Sequence, residues 1–152
     1  MTTRQFALIL GIVFLLVGIL GFVPGINQMH GGDDPNLTVE NPGHGYLLTL
    51  FHVNVLHNAV HILFGIMGIA MSRRYDMARL YARIVAVAYV LLGIMGLLPA
   101  PFRYTFGLVP IEGNDVWLHL LIAAAAAYFG FVVPATEMPT DQYSATGTPR
   151  QT

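Results

Sequence analysis

The sequence predicts an all-α integral membrane protein, a four-helix bundle built from two tandem helical hairpins. Its 152 residues are 55% hydrophobic and 10% charged, with a mean hydropathy of +0.64, whereas a soluble domain usually has about 25% charged residues. Such a chain cannot cover a water-facing surface. Four apolar stretches, each close to the roughly 20 residues that cross a bilayer, are separated by polar or Gly- and Pro-rich segments. Composition and spacing together predict four transmembrane helices.

The residue types that the chain lacks exclude several classes of chemistry. Without cysteine there are no disulfides, thiolate metal sites, iron–sulfur clusters or covalently attached c-type haem. The sequence also has no lysine, so Schiff-base chemistry has no candidate residue. A net charge of -1 gives no reason to expect a nucleic-acid partner. Nucleophilic catalysis has little support, because the apolar stretches contain no serine or cysteine beside a base.

The predicted spans lie within a transmembrane domain of residues 1–135 and cover residues 6–23, 51–71, 78–98 and 115–133. We expect the first to be a retained helix rather than a signal peptide, because its apolar run is long and no small-x-small cleavage site follows. The second helix is expected to begin near Phe51 or His52, and the fourth to take Asn114 as its N-cap. Residues 136–152 are polar and are predicted to form a disordered tail.

Arginine is distributed unevenly between the predicted loops. The connection between the second and third spans is the most basic part of the chain, with Arg73, Arg74, Arg79 and Arg83. Residues 24–46 contain acidic side chains and no arginine. Because cytoplasmic loops are enriched in Lys and Arg, we expect this basic connection and both termini to be cytoplasmic. Arg103, in the loop before the fourth span, is one mild exception.

The two halves of the chain resemble each other. Residues 18–24 match residues 93–99 without gaps, at an offset of 75. An offset of 58 aligns the second span with the fourth, and it superposes His57 on Asp115 and His61 on His119. Both predicted hairpins start on the same side of the membrane. The pattern therefore predicts a parallel repeat whose pseudo-twofold axis lies along the membrane normal.

A polar stripe runs along the second predicted helix and continues as a stripe of glycines. At about 100° per residue, Asn54, His57 and His61 share one face with Gly65 and Gly68, while Asn58 lies at its edge and His52 opposite. Lipid would penalise the polar groups, so this face should contact other helices. Glycines expected at helix contacts are Gly11, Gly18, Gly65, Gly68, Gly93, Gly96 and Gly130.

The spacing of the polar residues suggests a candidate ligand site. His57 and His61 are separated by four residues, which places them on one helix face, and Asp115 and His119 repeat that spacing. We expect these four side chains to converge in the outer half of the bundle. They form a chemically sensible ligand set for zinc, copper or iron, and one histidine from each helix suits a b-type haem. A structural hydrogen-bonded network with no cofactor is the simplest interpretation.

Three sequence elements carry a resemblance to a known family. They are Gly18-x-x-Gly-Phe-x-Pro-Gly, Phe51-x-Val-Asn-x-x-His-Asn-x-x-His-x-x-x-Gly-x-x-Gly and Asn114-Asp115-x-Trp-Leu-His. Over roughly residues 6–133 the chain resembles the bacterial membrane family called domain of unknown function 4383. The resemblance implies a four-helix protein of a bacterial cytoplasmic membrane and carries over no activity. It marks as pattern-defining positions Asn54, His57, Asn58, His61, Asp115 and His119.

Three functions remain open from the sequence. The first is a structural or accessory membrane protein, which acts through the bilayer, a homo-oligomer or a larger membrane complex. The second is a redox protein that binds a metal ion or haem at His57, His61, Asp115 and His119. The third is a carrier of protons or small solutes, which would require an oligomer because four helices enclose little volume.

Overall fold

A computed structural model describes residues 1–29, 34–39 and 43–134. The predicted tail and part of the acidic loop, including His30, Asp33 and Glu40, lie outside the described residues. The helices are α1 (Thr3–Leu20), α2 (Val55–Met71), α3 (Tyr75–Leu97) and α4 (Asn114–Ala127), with a π-helical turn at Tyr128–Val132 continuing α4. The strands are β1 (Asn27–Met29), β2 (Gly45–Leu47) and β3 (Phe51–Val53), and a 3-10 segment covers Phe102–Gly107.

The helices pack mainly in sequence-adjacent pairs, α1 with α2 and α3 with α4, and α1 also contacts α3. Glycine allows the closest approach in the first pair, since a Cβ at Gly68 would lie 2.8 Å from the Cα of Gly11. Side chains shared by α1, α3 and α4 form the core, which includes Phe14, Tyr81 and Tyr89. The other predicted packing glycines also face neighbouring elements: Gly18 faces Ile62, Gly65 faces Leu15, Gly93 faces Leu120, Gly96 faces Val116, and Gly130 faces Arg83.

The outer faces of the helices are apolar. Large hydrophobic side chains such as Ile12, Leu16, Val87 and Leu121 are exposed, which in water would make an unusually large apolar surface. Three helical stretches are long and apolar enough to cross a membrane, namely Thr3–Leu20, Tyr75–Leu97 and Asn114–Val132. Helix α2 is also apolar but has 17 residues. These features are those of a membrane protein.

A small antiparallel sheet, in the order β1-β2-β3, covers one end of the helices. The prediction that the second helix begins near Phe51 or His52 is wrong, because those residues form β3 and pair with Leu47 and Tyr46. Helix α2 begins only at Val55, after Asn54 has taken the N-cap position. The β-pairing partners are supplied by a distant loop, so the local apolar pattern could not reveal the strand.

The other three helix starts also differ from the predicted ones, and α3 begins at Tyr75 rather than at residue 78. Helix α1 begins three residues early, because Thr2 and Gln5 form a reciprocal capping box. The assignment of Asn114 as the N-cap of α4 is wrong, since Gly113 takes that position with a positive φ of 58° and Asn114 is the first helical residue. Glycine adopts this conformation at little steric cost, and Asn114 Nδ2 instead donates to Leu50 O at 3.4 Å.

Arginines gather at the end of the helices opposite the sheet. Arg4 Nε donates to the carbonyl of Ser72 at 3.0 Å, which ties the start of α1 to the end of α2. Across the other pair, the Nε atoms of Arg79 and Arg83 both donate to the carbonyl of Gly130, at 3.0 and 2.8 Å. Gly130 lies in the π-helical turn, where the wider hydrogen-bonding pattern departs from that of the α-helix.

Candidate functional site

Four of the predicted polar residues come together between α2 and α4. We call His57, His61, Asp115 and His119 the inner cluster. The rings of His57 and His61 stack with centroids 4.7 Å apart, and the ring centroids of His57 and His119 are separated by 6.1 Å. Asp115 Oδ2 lies 4.0 Å from His57 Nδ1 and its Oδ1 lies 3.8 Å from His119 Nδ1. All four side chains are buried.

The inner cluster is enclosed by aromatic side chains. Phe14 of α1 lies against His61, with ring centroids 5.4 Å apart, and the ring of Tyr89 of α3 stacks on His119 at 4.7 Å. His119 Nδ1 lies 2.8 Å from the backbone carbonyl of Asp115. Because a carbonyl only accepts, that nitrogen carries the proton, and in the neutral ring His119 Nε2 has a lone pair.

Much of the polar surface of this cluster has no protein partner. Both ring nitrogens of His57, Nδ1 of His61 and Oδ2 of Asp115 are buried without a hydrogen bond to the described part of the chain. The four side chains line a cavity of about 130 Å³, together with Tyr89 and apolar residues of α1 and the cap. A volume of this size has room for several water molecules, and is well below the roughly 300–1,000 Å³ of pockets that hold larger organic ligands. The cavity is therefore too small to hold a haem.

The two asparagines of the predicted stripe do not join the inner cluster. Asn54 is the N-cap of α2, where its Oδ1 accepts from His57 N at 2.9 Å and its Nδ2 donates to the carbonyls of Val39 and Leu108. Asn58 faces away from the histidines and packs against Gly21 and Gly43. Asn54 was assigned to the stripe by helical geometry, but it precedes the helix, and Asn58 lies about 100° from His57.

A second polar cluster, absent from the sequence-based predictions, lies in the sheet-covered end. We call Asp34, His44, His52 and Glu112 the cap cluster. His44 Nε2 and His52 Nε2 are 2.9 Å apart, and His52 Nδ1 lies 2.8 Å from Glu112 Oε1. Asp34, His44 and His52 each bring one ligand atom to within 4.8 Å of the others. Within residues 1–29, 34–39 and 43–134, this is the one group of three His, Asp or Glu side chains whose ligand atoms lie this close together.

Two tyrosines support the cap cluster. Burial, reinforced by the nearby Glu112 carboxylate, raises the pKa of Tyr104 to about 12, so its hydroxyl keeps its proton and donates to Glu112 Oε2 at 3.1 Å. The ring of Tyr46 stacks on His52, with centroids 4.9 Å apart and an interplanar angle of 12°. Burial also raises the pKa of Tyr46. His52, which helical geometry placed opposite the polar stripe, is buried at the centre of this cluster.

A sequence signal for the cap cluster exists but is weak. His44 and His52 lie eight residues apart, on either side of the β2–β3 turn, and Glu112 is sixty residues further along. Had the hairpin been recognised, its antiparallel pairing would have brought the two histidines close together. Nothing in the local sequence indicates the approach of Glu112.

Apolar helices of membrane-spanning length, together with a buried histidine–aspartate cluster, define a helical membrane-type protein with an interior polar site. The family model described as Domain of unknown function (DUF4383) matches residues 4–132. The chain therefore belongs to that family, as its sequence elements predicted. No curated protein and no solved structure is similar enough to the chain to count as a match.

Proposed function

We propose that the chain is a four-span protein of a bacterial cytoplasmic membrane, in which α1–α2 and α3–α4 form two tandem hairpins with both termini cytoplasmic. The pairing of the helices and the apolar outer faces support this arrangement. Helix α2, at 17 residues, is within the lower range of spanning helices. The gathering of Arg4, Arg73, Arg74, Arg79 and Arg83 at one end supports a cytoplasmic position for that end.

Reporter fusions test this topology. Fusions after Met71 and after Pro134 should both report the cytoplasm, and a fusion after Gly113, at the sheet-covered end, should report the opposite side. The physical reason is the cost of moving the arginine-rich connection across the bilayer. A cytoplasmic signal after Gly113, or an external signal at either of the other two positions, would contradict the proposed orientation.

We infer further that the inner cluster binds a proton inside the membrane domain. The observation that carries this inference is the convergence of three imidazoles and a carboxylate beside a cavity of about 130 Å³, whose other lining residues are mostly apolar. A purely structural network would use its polar atoms in hydrogen bonds, because each unpaired buried group costs about 1–3 kcal/mol. Here His57 has both ring nitrogens unpaired within the described part of the chain. Ionisable groups inside a membrane domain usually mark a functional site.

The surroundings restrict which groups can exchange the proton. His57 faces His61 on its own helix, and it faces Asp115 and His119 on α4. Tyr89 of α3 packs on His119, and Phe14 of α1 packs on His61. Among the residues that the structure describes, no arginine lines the cavity. A proton taken up here would therefore be shared among the three imidazoles and the Asp115 carboxylate.

Nitrogen-15 NMR of histidine-labelled protein in lipid nanodiscs tests proton binding. Imidazole nitrogen shifts distinguish the neutral tautomers from the cation, and a His57→Leu variant assigns the His57 signals. We expect at least one of these imidazoles or the Asp115 carboxyl, followed by its carbon-13 shift, to change protonation between about pH 5 and 8. Asp115→Asn removes the facing carboxylate and should move any imidazole midpoint to lower pH.

A matched carboxylate variant provides the control. Asp76→Asn removes an exposed carboxylate that pairs with Arg74, at the arginine-rich end of the helices, and should leave the inner-cluster titration in place. If the imidazoles of His57, His61 and His119 and the Asp115 carboxyl, followed by its carbon-13 shift, all stay in one form throughout this pH range, the cluster is a structural network and the proton-binding proposal is wrong. Elemental analysis and an absorption spectrum of the same sample test the metal and haem alternatives.

A further inference from the structure

We propose that the cap cluster is a binding site for a divalent transition-metal ion, zinc in the first instance, with Asp34, His44 and His52 as its ligands. This site shares no residue with the inner cluster and does not depend on the proton-binding proposal. Two imidazoles and one carboxylate are a ligand set that zinc commonly takes in sites with an open fourth position.

The facing histidine nitrogens are the first step of the argument. His44 Nε2 and His52 Nε2 lie 2.9 Å apart. Two nitrogens bound tetrahedrally to one zinc, each at about 2.0–2.1 Å, are separated by about 3.3–3.4 Å. In this structure His44 Nε2 donates a hydrogen bond to His52 Nε2. A zinc ion would take the place of that proton, with His44 then protonated at Nδ1 and the two nitrogens about half an ångström further apart. Both side chains are buried, with exposed fractions of 3% and 5%, so their orientations are fixed by packing.

Glu112 supplies the second step. Its Oε1 accepts the Nδ1 proton of His52 at 2.8 Å, which leaves the lone pair of the neutral ring on Nε2, the atom that faces His44. Metal-bound histidines almost always donate their other ring N–H to a carboxylate or carbonyl, which fixes the tautomer and makes the ligand more basic. Tyr104 in turn holds Glu112 through Oε2. The chain Tyr104–Glu112–His52 is the support that a metal-binding histidine requires.

Asp34 is the third ligand, and its carboxylate offsets part of the positive charge of the metal ion. Its Oδ1 accepts from the backbone N and the Nδ2 of Asn36, at 2.8 and 3.0 Å, which orients the carboxylate. The three ligand atoms lie within 4.8 Å of one another, and zinc binding would bring them closer together. Asp34 is half-buried while the histidines are buried, so its carboxylate is the most solvent-accessible of the three ligands.

The test measures zinc binding to the full chain, purified without a polyhistidine tag and stripped with a chelator. Competition with a chromophoric zinc chelator in nanodiscs should show one tightly bound zinc per chain. Asp34→Asn and His44→Gln should each weaken binding by at least tenfold, and Glu112→Gln should weaken it by about 10–100-fold, the usual effect of removing a supporting carboxylate. Zinc X-ray absorption of the wild type should show two imidazole ligands.

A double variant of the inner cluster is the matched control. His57→Gln with His119→Gln removes two buried histidines at the other site and should leave the zinc affinity unchanged. Circular dichroism identifies variants that fail to fold, and the half-buried Asp34→Asn is the substitution least disruptive to packing. The proposal is overturned if the folded wild type binds no zinc at micromolar concentration. It is also overturned if the inner-cluster variant loses zinc while Asp34→Asn and His44→Gln retain it. A zinc X-ray absorption spectrum of the wild type without imidazole ligands would overturn it as well.

Discussion

Asn54→Ala should destabilise the protein by about 2–4 kcal/mol, because it removes the N-cap hydrogen bond to the buried His57 amide and the hydrogen bonds to two partly buried carbonyl groups. The Asn54 side chain, which is fully buried, joins the start of α2, the segment at Val39 and the end of the 3-10 region at Leu108. Alanine would leave the His57 amide and two carbonyls without partners. Against a total stability of about 5–15 kcal/mol, such a loss is large, and unfolding in a mixed detergent titration, followed by circular dichroism, measures it.

Asn58→Ala is the matched control for this prediction. Asn58 is the same residue type on the same helix, is also fully buried, and its side-chain oxygen and nitrogen have no hydrogen-bond partner within the described residues. Both substitutions remove the same volume, so the difference between the two variants isolates the hydrogen bonds. If Asn58→Ala is as destabilising as Asn54→Ala, the side-chain hydrogen bonds of Asn54 are not what holds the sheet-covered end to the helices.

The position of Asn54 also links the two polar clusters. His52, two residues before it, belongs to the cap cluster, and His57, three residues after it, belongs to the inner cluster. The change from strand to helix at Asn54 turns these histidines towards different surroundings: His52 towards Glu112, and His57 towards Asp115. One short stretch of sequence thus supplies both sites, and the N-cap separates them.

Helical periodicity predicts the inner cluster well because His57, His61, Asp115 and His119 all lie within regular helices. A 100° rotation per residue holds there, and the ring centroids of His57 and His61 are indeed 4.7 Å apart. The same geometry fails at Asn54, which has an extended backbone with φ of -140° and ψ of -178°. Asparagine is strongly preferred at the N-cap, so Asn54 was itself a signal that the helix begins after it.

The cap cluster could not be derived from the sequence for a different reason. Its strands have three residues each, which is too short for an alternating pattern to be distinguished from the apolar run that follows. The contact between His52 and Glu112 joins residues sixty positions apart. Contacts of this kind depend on how the two helix pairs pack against each other, and local sequence patterns do not indicate that packing.

Helices α1 and α2 pack closely at Gly11. Gly11→Ala should therefore destabilise the protein by about 1–3 kcal/mol or more, which is the usual cost of overpacking. A Cβ at residue 11 would lie 2.7 Å from Ile69 N and 2.9 Å from Gly65 O. These are backbone atoms of α2, so no side-chain rotation relieves the overlap and the two helices must separate. Gly93→Ala is the comparison, because its Cβ would meet Cδ2 and Cγ of Leu120, at 2.5 and 2.8 Å, which are side-chain atoms that a change of rotamer can move. Both changes raise helix propensity by the same amount, about 1 kcal/mol, so Gly93→Ala should destabilise the protein clearly less than Gly11→Ala. Detergent unfolding of the two variants, side by side with the wild type, measures the difference, and equal stabilities would show that α1 and α2 do not approach this closely.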